Sequence, residues 1–413
     1  MVRMRTIVAK FGGATVGDGD RVRWAAREVY DEFKKGTRVA VVVSAMGDTT
    51  DELIDIAKVS TKGQVSASEM DDIIAMGERT CVRIFAAALR SVGARAQYID
   101  PGCEEWPVVT NDDFGRAEID LAKTRHRVQR YILPLVEKGI IPVICGFLGK
   151  DARGRVTTIG RGGSDITAFL IATCLGANEV IIVKDVDGVM SADPSRVKGA
   201  HLVEQISMEA MRDLARFGAK VLHPRALSYK DPKIDARIIN FKRGNLSANG
   251  TTITGPGGVE KMGVKAYEKP LAMLTIVGED MQATPGILAK ATDPLSEAEI
   301  NIFGVSIGPR SFSLYVTERD SQRALELLHD VVLKNKSMKS VTSEGDIAMV
   351  IAESEKFVET PGIIAKLTEP LAKHRINIIE IYSSRASISF FLGWSDRSQA
   401  LRLMQQVMKE VGA

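Results

Sequence analysis

The chain has 413 residues, 45% of them hydrophobic, and a mean hydropathy near zero. That is an ordinary globular composition with length for two or three domains. Lys and Arg number 55 against 52 Asp and Glu, a net charge of +3, which gives no reason to expect a nucleic acid or a membrane surface as partner. No apolar run is long enough to span a bilayer, and the N-terminus lacks a signal-peptide layout. The cysteines are Cys81, Cys103, Cys145 and Cys174, with no CxxC spacing. Reduced thiols in a cytoplasmic protein are expected, with neither a disulfide framework nor a zinc site. The histidines form no HExxH pattern, so no metal site built by the protein is expected.

The first predicted strand, residues 7–9, runs into Lys10, Phe11, Gly12 and Gly13, with a helix-like stretch after them. Glycines at a strand end let backbone N–H groups approach an anion, and a lysine beside them adds a mobile positive charge. Taken alone, the tetrapeptide reads better as an ordinary turn with a solvated lysine. No GxxxxGK[ST] pattern occurs, so a P-loop is excluded. Residues 38–46 (RVAVVVSAM) form a second, apolar strand. Ser44, Gly47, Thr49 and Thr50 stand at its end, and Thr50 suits a helix cap as well as a ligand contact.

A helical pattern covers 70–89 and contains Gly77 and Glu78. Glycine inside a helix costs about 1 kcal/mol relative to alanine, so Gly77 asks for a packing reason. A second helical stretch covers 120–137, and strands follow at 140–147 and 179–186. Apolar strands alternating with helices indicate a mostly parallel sheet covered on both faces. Gly12, Gly13, Gly47 and Gly146 directly follow strands, on the edge where open α/β sheets bind ligands. Residues 157–165 (TTIGRGGSD) place Arg161, Gly162, Gly163, Ser164 and Asp165 just before an apolar helix, where the last two also suit a capping pair. Residues 184–197 (KDVDGVMSADPSRV) follow another strand, and their aspartates suit turns. Residues 217–227 (FGAKVLHPRAL) carry Lys220, a residue type more often found on a surface than in a site.

Residues 254–263 (TGPGGVEKMG) have no apolar period and mark a domain boundary. Beyond them the chain repeats itself. Residues 284–302 and 360–378 agree at 12 of 19 positions, at an offset of 76, so the C-terminal part is two copies of one module. Each reads strand, Thr-Pro-Gly turn, helix, strand, strand, helix. Pro294 and Pro370 fall within the helical patterns and are expected to kink or break them.

The stretches KFGG, VVVSAMGDTTDEL, MGER, TTIGRGGSDITA, DVDGVMSADP and GAKVLHPRA stand in the order found in the amino-acid kinase superfamily. The chain resembles the aspartate kinases of that superfamily over nearly its whole length, and the repeat resembles the paired ACT modules that end them. The resemblance implies an α/β catalytic domain at 1–255, its mostly parallel sheet sandwiched by helices. It further implies a linker at 256–268 and two ferredoxin-like ACT modules at 269–342 and 343–413. The implied reaction is transfer of the γ-phosphoryl of ATP to the β-carboxylate of L-aspartate, with Mg²⁺ carried by the nucleotide. By resemblance, Lys10 contacts the transferred phosphoryl, with Gly12 and Gly13 as backbone donors. Thr50, Glu78, Arg161, Gly162, Gly163 and Ser164 hold the amino acid, and Asp165 organises the phosphoryl-transfer centre. Lys184, Asp185, Met190, Arg196, Lys220 and Val221 lie where the nucleotide is held. A homodimer or larger homo-oligomer through the ACT modules is expected, with an amino-acid effector possible there.

Several residues depart from the family pattern. Lys184 stands where Thr or Ser is common, Met190 where an aromatic is common, and Ser195 is interposed before Arg196. Phe303 and Ile379 replace an acid that lysine- or threonine-inhibited members tend to carry, with Glu380 the nearest one. Residues 284–287 and 302–307 are the candidate effector pocket or, alternatively, only a module interface. The alternatives to an aspartate kinase are a catalytically weak amino-acid sensor and a sibling glutamate-type kinase. Intact Lys10, Glu78, Arg161 and Asp165 weigh against the first, and GRGGSD with the doubled module against the second.

Overall fold

The apolar run at 7–9 is the middle of a longer strand, β1 (Thr6–Phe11), whose last five residues are buried. Lys10 therefore belongs to the strand and does not merely follow it. The computed structural model describes residues 4–218, 221–255, 263–281, 283–354, 357 and 360–412, and the chain divides into two units, residues 1–259 and 260–413.

In the first unit β1 is joined by β2 (Arg38–Val43), β3 (Ala96–Ile99), β4 (Ile141–Cys145), β5 (Leu148–Lys150), β6 (Val156–Thr158), β7 (Glu179–Lys184), β8 (Gln205–Ser207), β9 (Asp235–Asn240) and β10 (Thr251–Thr254). The large sheet has the order β3-β4-β2-β1-β7-β9-β10-β8, and β5 with β6 forms a separate hairpin. Pairing is parallel from β3 through β9, and β10 runs antiparallel to β9. This is the mostly parallel α/β sheet that the apolar strands imply, because Val, Ile and Ala fill both faces of its central strands.

The covering helices are α1 (Gly19–Lys34), α2 (Thr49–Ser60), α3 (Ala67–Ser91), α4 (Leu121–Arg127), α5 (Leu133–Glu137), α6 (Gly163–Leu175), α7 (Met208–Arg216) and α8 (Pro224–Leu227). The Asp18 side chain caps α1, and Ser66 with Glu69 forms a reciprocal capping box on α3. The stretch read as one helix over 120–137 is α4 and α5 joined by a π turn at Val128–Ile132, just ahead of Pro134. A wide turn there accommodates the proline's missing N–H. α6 is buried all round except at Thr173, so it is a core helix packed against β1, β2 and β7.

The second unit has β11 (Gly263–Ala266), β12 (Leu271–Gly278), β13 (Gly304–Ile307), β14 (Ser311–Thr317), β15 (Met338–Glu353), β16 (Ile378–Ser383) and β17 (Ser387–Gly393). Its helices are α9 (Ile287–Glu297), α10 (Ser321–Lys334), α11 (Ile363–Lys373) and α12 (Arg397–Gly412). The strand order is β13-β14-β12-β15-β17-β16, all antiparallel. The long β15 serves both repeats: its first part pairs with β12 and its last part, from Ile347, with β17. β11, inside the segment expected to be linker, pairs antiparallel with residues 350–353 of β15.

The two repeats keep separate apolar cores, one around Leu274, Leu314 and Leu328, the other around Val350, Leu367 and Phe390. The prolines do not break the helices. Pro294 and Pro370 lie inside α9 and α11, each three residues from the C-terminal end. The carbonyls that lose a donor belong to exposed Lys290 and Lys366, which face water. Among the described residues no helix is long and apolar enough to cross a membrane, and the four cysteines are free thiols.

Candidate active site

Parallel pairing brings the chemistry of the first unit to the carboxyl edge of its sheet. Lys10 lies opposite Val42 of β2 and Ile182 of β7, and Lys184 ends β7 two residues further on. Between them sits Asp165, in the first turn of the buried helix α6. Lys10 Nζ is 2.7 Å from Asp165 Oδ1, and Lys184 Nζ is 3.4 Å from Oδ2. The side chains of Lys10 and Asp165 are each 7% exposed and that of Lys184 is 19%. Burial alone would raise the Asp165 carboxyl, but the two ammoniums hold it below the ordinary carboxylate range. Lys184 is pushed down by burial and by the charge of Lys10, with Asp165 opposing.

The glycines do specific work at this edge. A Cβ on Gly13 would fall 2.9 Å from the carbonyl oxygen of Gly47 and 3.0 Å from that of Ala45, so only glycine lets the two strand-end loops touch. The Gly47 N–H donates to the Gly13 carbonyl at 3.1 Å, locking the pair. Gly77 has its packing reason too: a Cβ there would sit 2.7 Å from Ala45 Cβ, so α3 presses directly on the loop after β2. That contact delivers Glu78, whose Oε1 accepts from the Ala45 N–H at 3.0 Å. Among the described residues no donor reaches its Oε2. Burial pushes Glu78 up to about 7, only partly offset by the Ala45 hydrogen bond and the charge of Lys10.

The segment before α6 is folded against two neighbours. Gly162 is left-handed (φ +74°), and a Cβ there would lie 2.3 Å from His223 Cβ. Gly163 would meet the Phe147 ring at 2.6 Å, and Gly146 would meet Ser164 at 2.6 Å. Ser164 is buried at the helix start, while Arg161 is exposed on the preceding turn. Thr50 is half-buried in the first turn of α2 and is not its cap, since Asp48 holds that position.

On the far side of Lys184, Asp185 is exposed, Met190 is half-buried and bridged to Leu202, and Val221 packs partly buried against the core. Asp193 accepts from the N–H and hydroxyl of Ser195 and, through its carbonyl, from the Arg196 N–H. This turn presents Arg196 to solvent. Lys220 lies outside the described residues. The structure thus joins Lys10, Asp165 and Lys184 directly and sets Glu78 against the loop that touches Gly13. It leaves Arg161, Asp185 and Arg196 exposed.

Three residues that shape the site were not singled out from the sequence. Asp71, buried on α3, accepts from the Gly115 N–H at 2.9 Å, the Thr158 N–H at 2.8 Å and the Thr158 hydroxyl at 2.9 Å. Arg225 donates to the Ile159 carbonyl at 3.1 Å, and His223 packs on Gly162. The legible signal for Asp71 is its place two turns ahead of Glu78 on one helix face.

Among the described residues no group of three or more His, Cys, Asp or Glu side chains gathers as a metal cage. What the edge offers is a glycine-lined loop pair, a buried and a half-buried ammonium on one carboxylate, and a helix start. That donor set suits a phosphorylated ligand.

The profile of the amino acid kinase family matches residues 5–240, and that of the ACT domain matches residues 266–330 and 342–406. The aspartokinase of Bacillus sp. (strain MGA3) is 32% identical over 426 residues, covering 99% of this chain and 98% of that protein. The aspartokinase of Corynebacterium glutamicum is 32% identical over 421 residues, covering 98% and 96%. The aspartate kinase structure from Synechocystis superimposes with a TM-score of 0.81 at 25% identity, covering 98% of this chain and 69% of that one. E. coli aspartokinase III in complex with aspartate and ADP, at TM-score 0.56 and 24% identity, shares the fold.

Proposed function

The chain belongs to the amino acid kinase family, in its aspartokinase branch, and from that premise we propose how its residues carry the reaction. The protein is an aspartate kinase: ATP and L-aspartate give ADP and 4-phospho-L-aspartate, the entry to lysine, threonine and methionine synthesis. The single observation that carries the residue assignment is Asp165 held between Lys10 and Lys184 beside the glycine loops.

The β-carboxylate of the substrate is the nucleophile. With an unperturbed pKa of about 3.9 it is ionised at neutral pH, so no general base is needed. Its oxygen bonds to the γ-phosphorus as the bond to the β–γ bridging oxygen breaks, and ADP leaves with the electron pair. Lys10 and the N–H groups of Gly12 and Gly13 hold the phosphoryl oxygens, and Asp165 keeps Lys10 in place. Glu78 takes the α-ammonium, Arg161 the α-carboxylate as a planar fork, and Thr50, Gly162, Gly163 and Ser164 close round the amino acid. Lys184, Asp185, Met190, Lys220 and Val221 border the nucleotide. Arg196, on its solvent-facing turn, reaches it only if that turn closes. Mg²⁺ neutralises phosphate charge when bound, and we assign its ligands chiefly to the nucleotide.

The same proposal places the catalytic domain at 1–255, a linker at 256–268, and regulatory modules at 269–342 and 343–413, which bind an amino-acid effector and pair two copies of the chain. The protein is assigned to the cytoplasm. The test is ADP release with ATP, Mg²⁺ and L-aspartate, with hydroxylamine to trap the acyl phosphate and L-glutamate as control. Aspartate-dependent hydroxamate supports the reading. ATP binding without hydroxamate points to the amino-acid sensor, and glutamate-dependent hydroxamate to the sibling kinase.

A further inference from the structure

Lys184 and Asp165 lie on different elements, yet they meet at 3.4 Å while Lys10 holds the other oxygen of the same carboxylate at 2.7 Å. One carboxylate therefore serves two ammoniums, in a place largely shut off from water. Asp165 also stands in the first turn of α6, where unpaired N–H groups add positive potential. Glu78 also feels the charge of Lys10, although burial pushes its carboxyl up to about 7. Lys184 also feels the charge of the neighbouring, exposed Asp185, so within the dry site itself Asp165 is the carboxylate that both ammoniums share. Two ammoniums on one buried carboxylate leave each only partly compensated, and a bound anion completes the set.

The two lysines are not equivalent. Lys10 makes the shorter contact and is anchored mid-sheet between β2 and β7, whereas Lys184 is the last residue of β7 and the more exposed of the pair. Lys184 is the ammonium that can be released without dismantling the centre. We propose that Lys184 is a second catalytic lysine: its Nζ leaves Asp165 for a non-bridging oxygen of the transferred phosphoryl and shares with Lys10 the charge of the transition state. This rests on the aspartate kinase reading and deepens it, because it moves Lys184 from the nucleotide border to the reacting group. The chemistry asks for such a group. A carboxylate anion attacks a phosphoryl group that is itself anionic, and a second fixed ammonium in a dry site lowers that repulsion as the two approach.

The experiment compares the parent protein with Lys184→Met, Lys184→Gln and Lys184→Arg. Steady-state hydroxamate formation is measured together with calorimetric binding of ADP and of the β,γ-imido analogue of ATP, each with Mg²⁺. The expected result is a kcat lowered about 100-fold in the two neutral variants, with the KM for aspartate within about twofold of the parent. Binding of the imido analogue should weaken about tenfold more than binding of ADP, and Lys184→Arg should recover much of the loss. A neutral variant that keeps kcat within about threefold, or that weakens ADP and the analogue equally, overturns the inference. Lys184→Gln carries the test if Lys184→Met does not fold. Absence of hydroxamate from the parent sinks the aspartate kinase reading itself, while a competent parent with an indifferent Lys184 sinks only this inference.

Discussion

A carboxyl buried like Glu78, with one oxygen on the Ala45 N–H, sits near neutrality and changes charge within the physiological range. An ammonium needs the ionised form. With Glu78 assigned to the α-ammonium, kcat/KM for aspartate should fall as pH drops below about 7, and the acid limb should disappear in Glu78→Gln together with a KM raised ~100-fold. A pH profile of both proteins checks this, and an unchanged acid limb in Glu78→Gln would remove Glu78 from the substrate site. Glu28 on α1 shows the same physics without a catalytic role. It is buried, among the described residues its Oε1 has no partner, and burial followed by the charge of Asp31 pushes it up to about 8. The folded state favours the protonated form. That contribution to stability is whole below about 4.5 and is lost as pH rises through 8. Glu28→Gln should therefore raise the Tm at pH 9 by about 4 °C and leave it nearly unchanged at pH 5, as a calorimetric pH series would show.

Elements are where the sequence was most and least readable. The strands carrying the site are apolar on both faces, so β1, β2, β4 and β7 stand out as runs, and the glycines after them mark the ligand edge. β11 does not stand out, because four residues beside a Gly-Pro-rich stretch carry no period; only the open edge of β15 makes them a strand. The site was legible as a set of motifs but not as a set of contacts. Nothing in the spacing of Lys10, Asp165 and Lys184 announces that one carboxylate bridges two lysines, since sheet register decides it. Asp71 was hidden for the same reason, as its partners come from the 110–116 loop and from β6. Asp71→Ala would leave two N–H groups and a hydroxyl without their acceptor, each worth about 1–3 kcal/mol where burial persists. The expected outcome is a lower Tm and a raised KM for aspartate, because Thr158 leads into residues 160–165. Asp71→Asn, which keeps an acceptor, should restore much of both. A Tm loss without any KM change would make Asp71 structural only.

In the molecule as a whole, any amino-acid control is assigned to the repeated modules of the second unit, which are stitched to each other by polar and aromatic contacts. The Tyr315 hydroxyl of β14 and the Tyr382 hydroxyl of β16 donate to the same Glu380 oxygen, at 2.8 Å and 3.1 Å, and the Tyr315 and Phe391 rings lie 4.0 Å apart. Strands β13 and β16 remain at the two ends of the strand order. Edge strands with unpaired backbone groups are templates for a second copy, and a closed pair of chains satisfies them. A sedimenting species of about 90 kDa, twice the chain mass of 44.9 kDa, is expected, and Val305→Pro in β13 should shift it toward monomer. A parent that sediments only at the monomer mass would refute the pairing. Any effector then acts by differential affinity. If lysine or threonine, added singly, weakens aspartate binding tenfold, a coupling of about 1.4 kcal/mol, saturating aspartate must weaken that effector by the same factor. Calorimetric titration in both orders measures it. A factor near one in both orders would show that neither amino acid is coupled to the aspartate site.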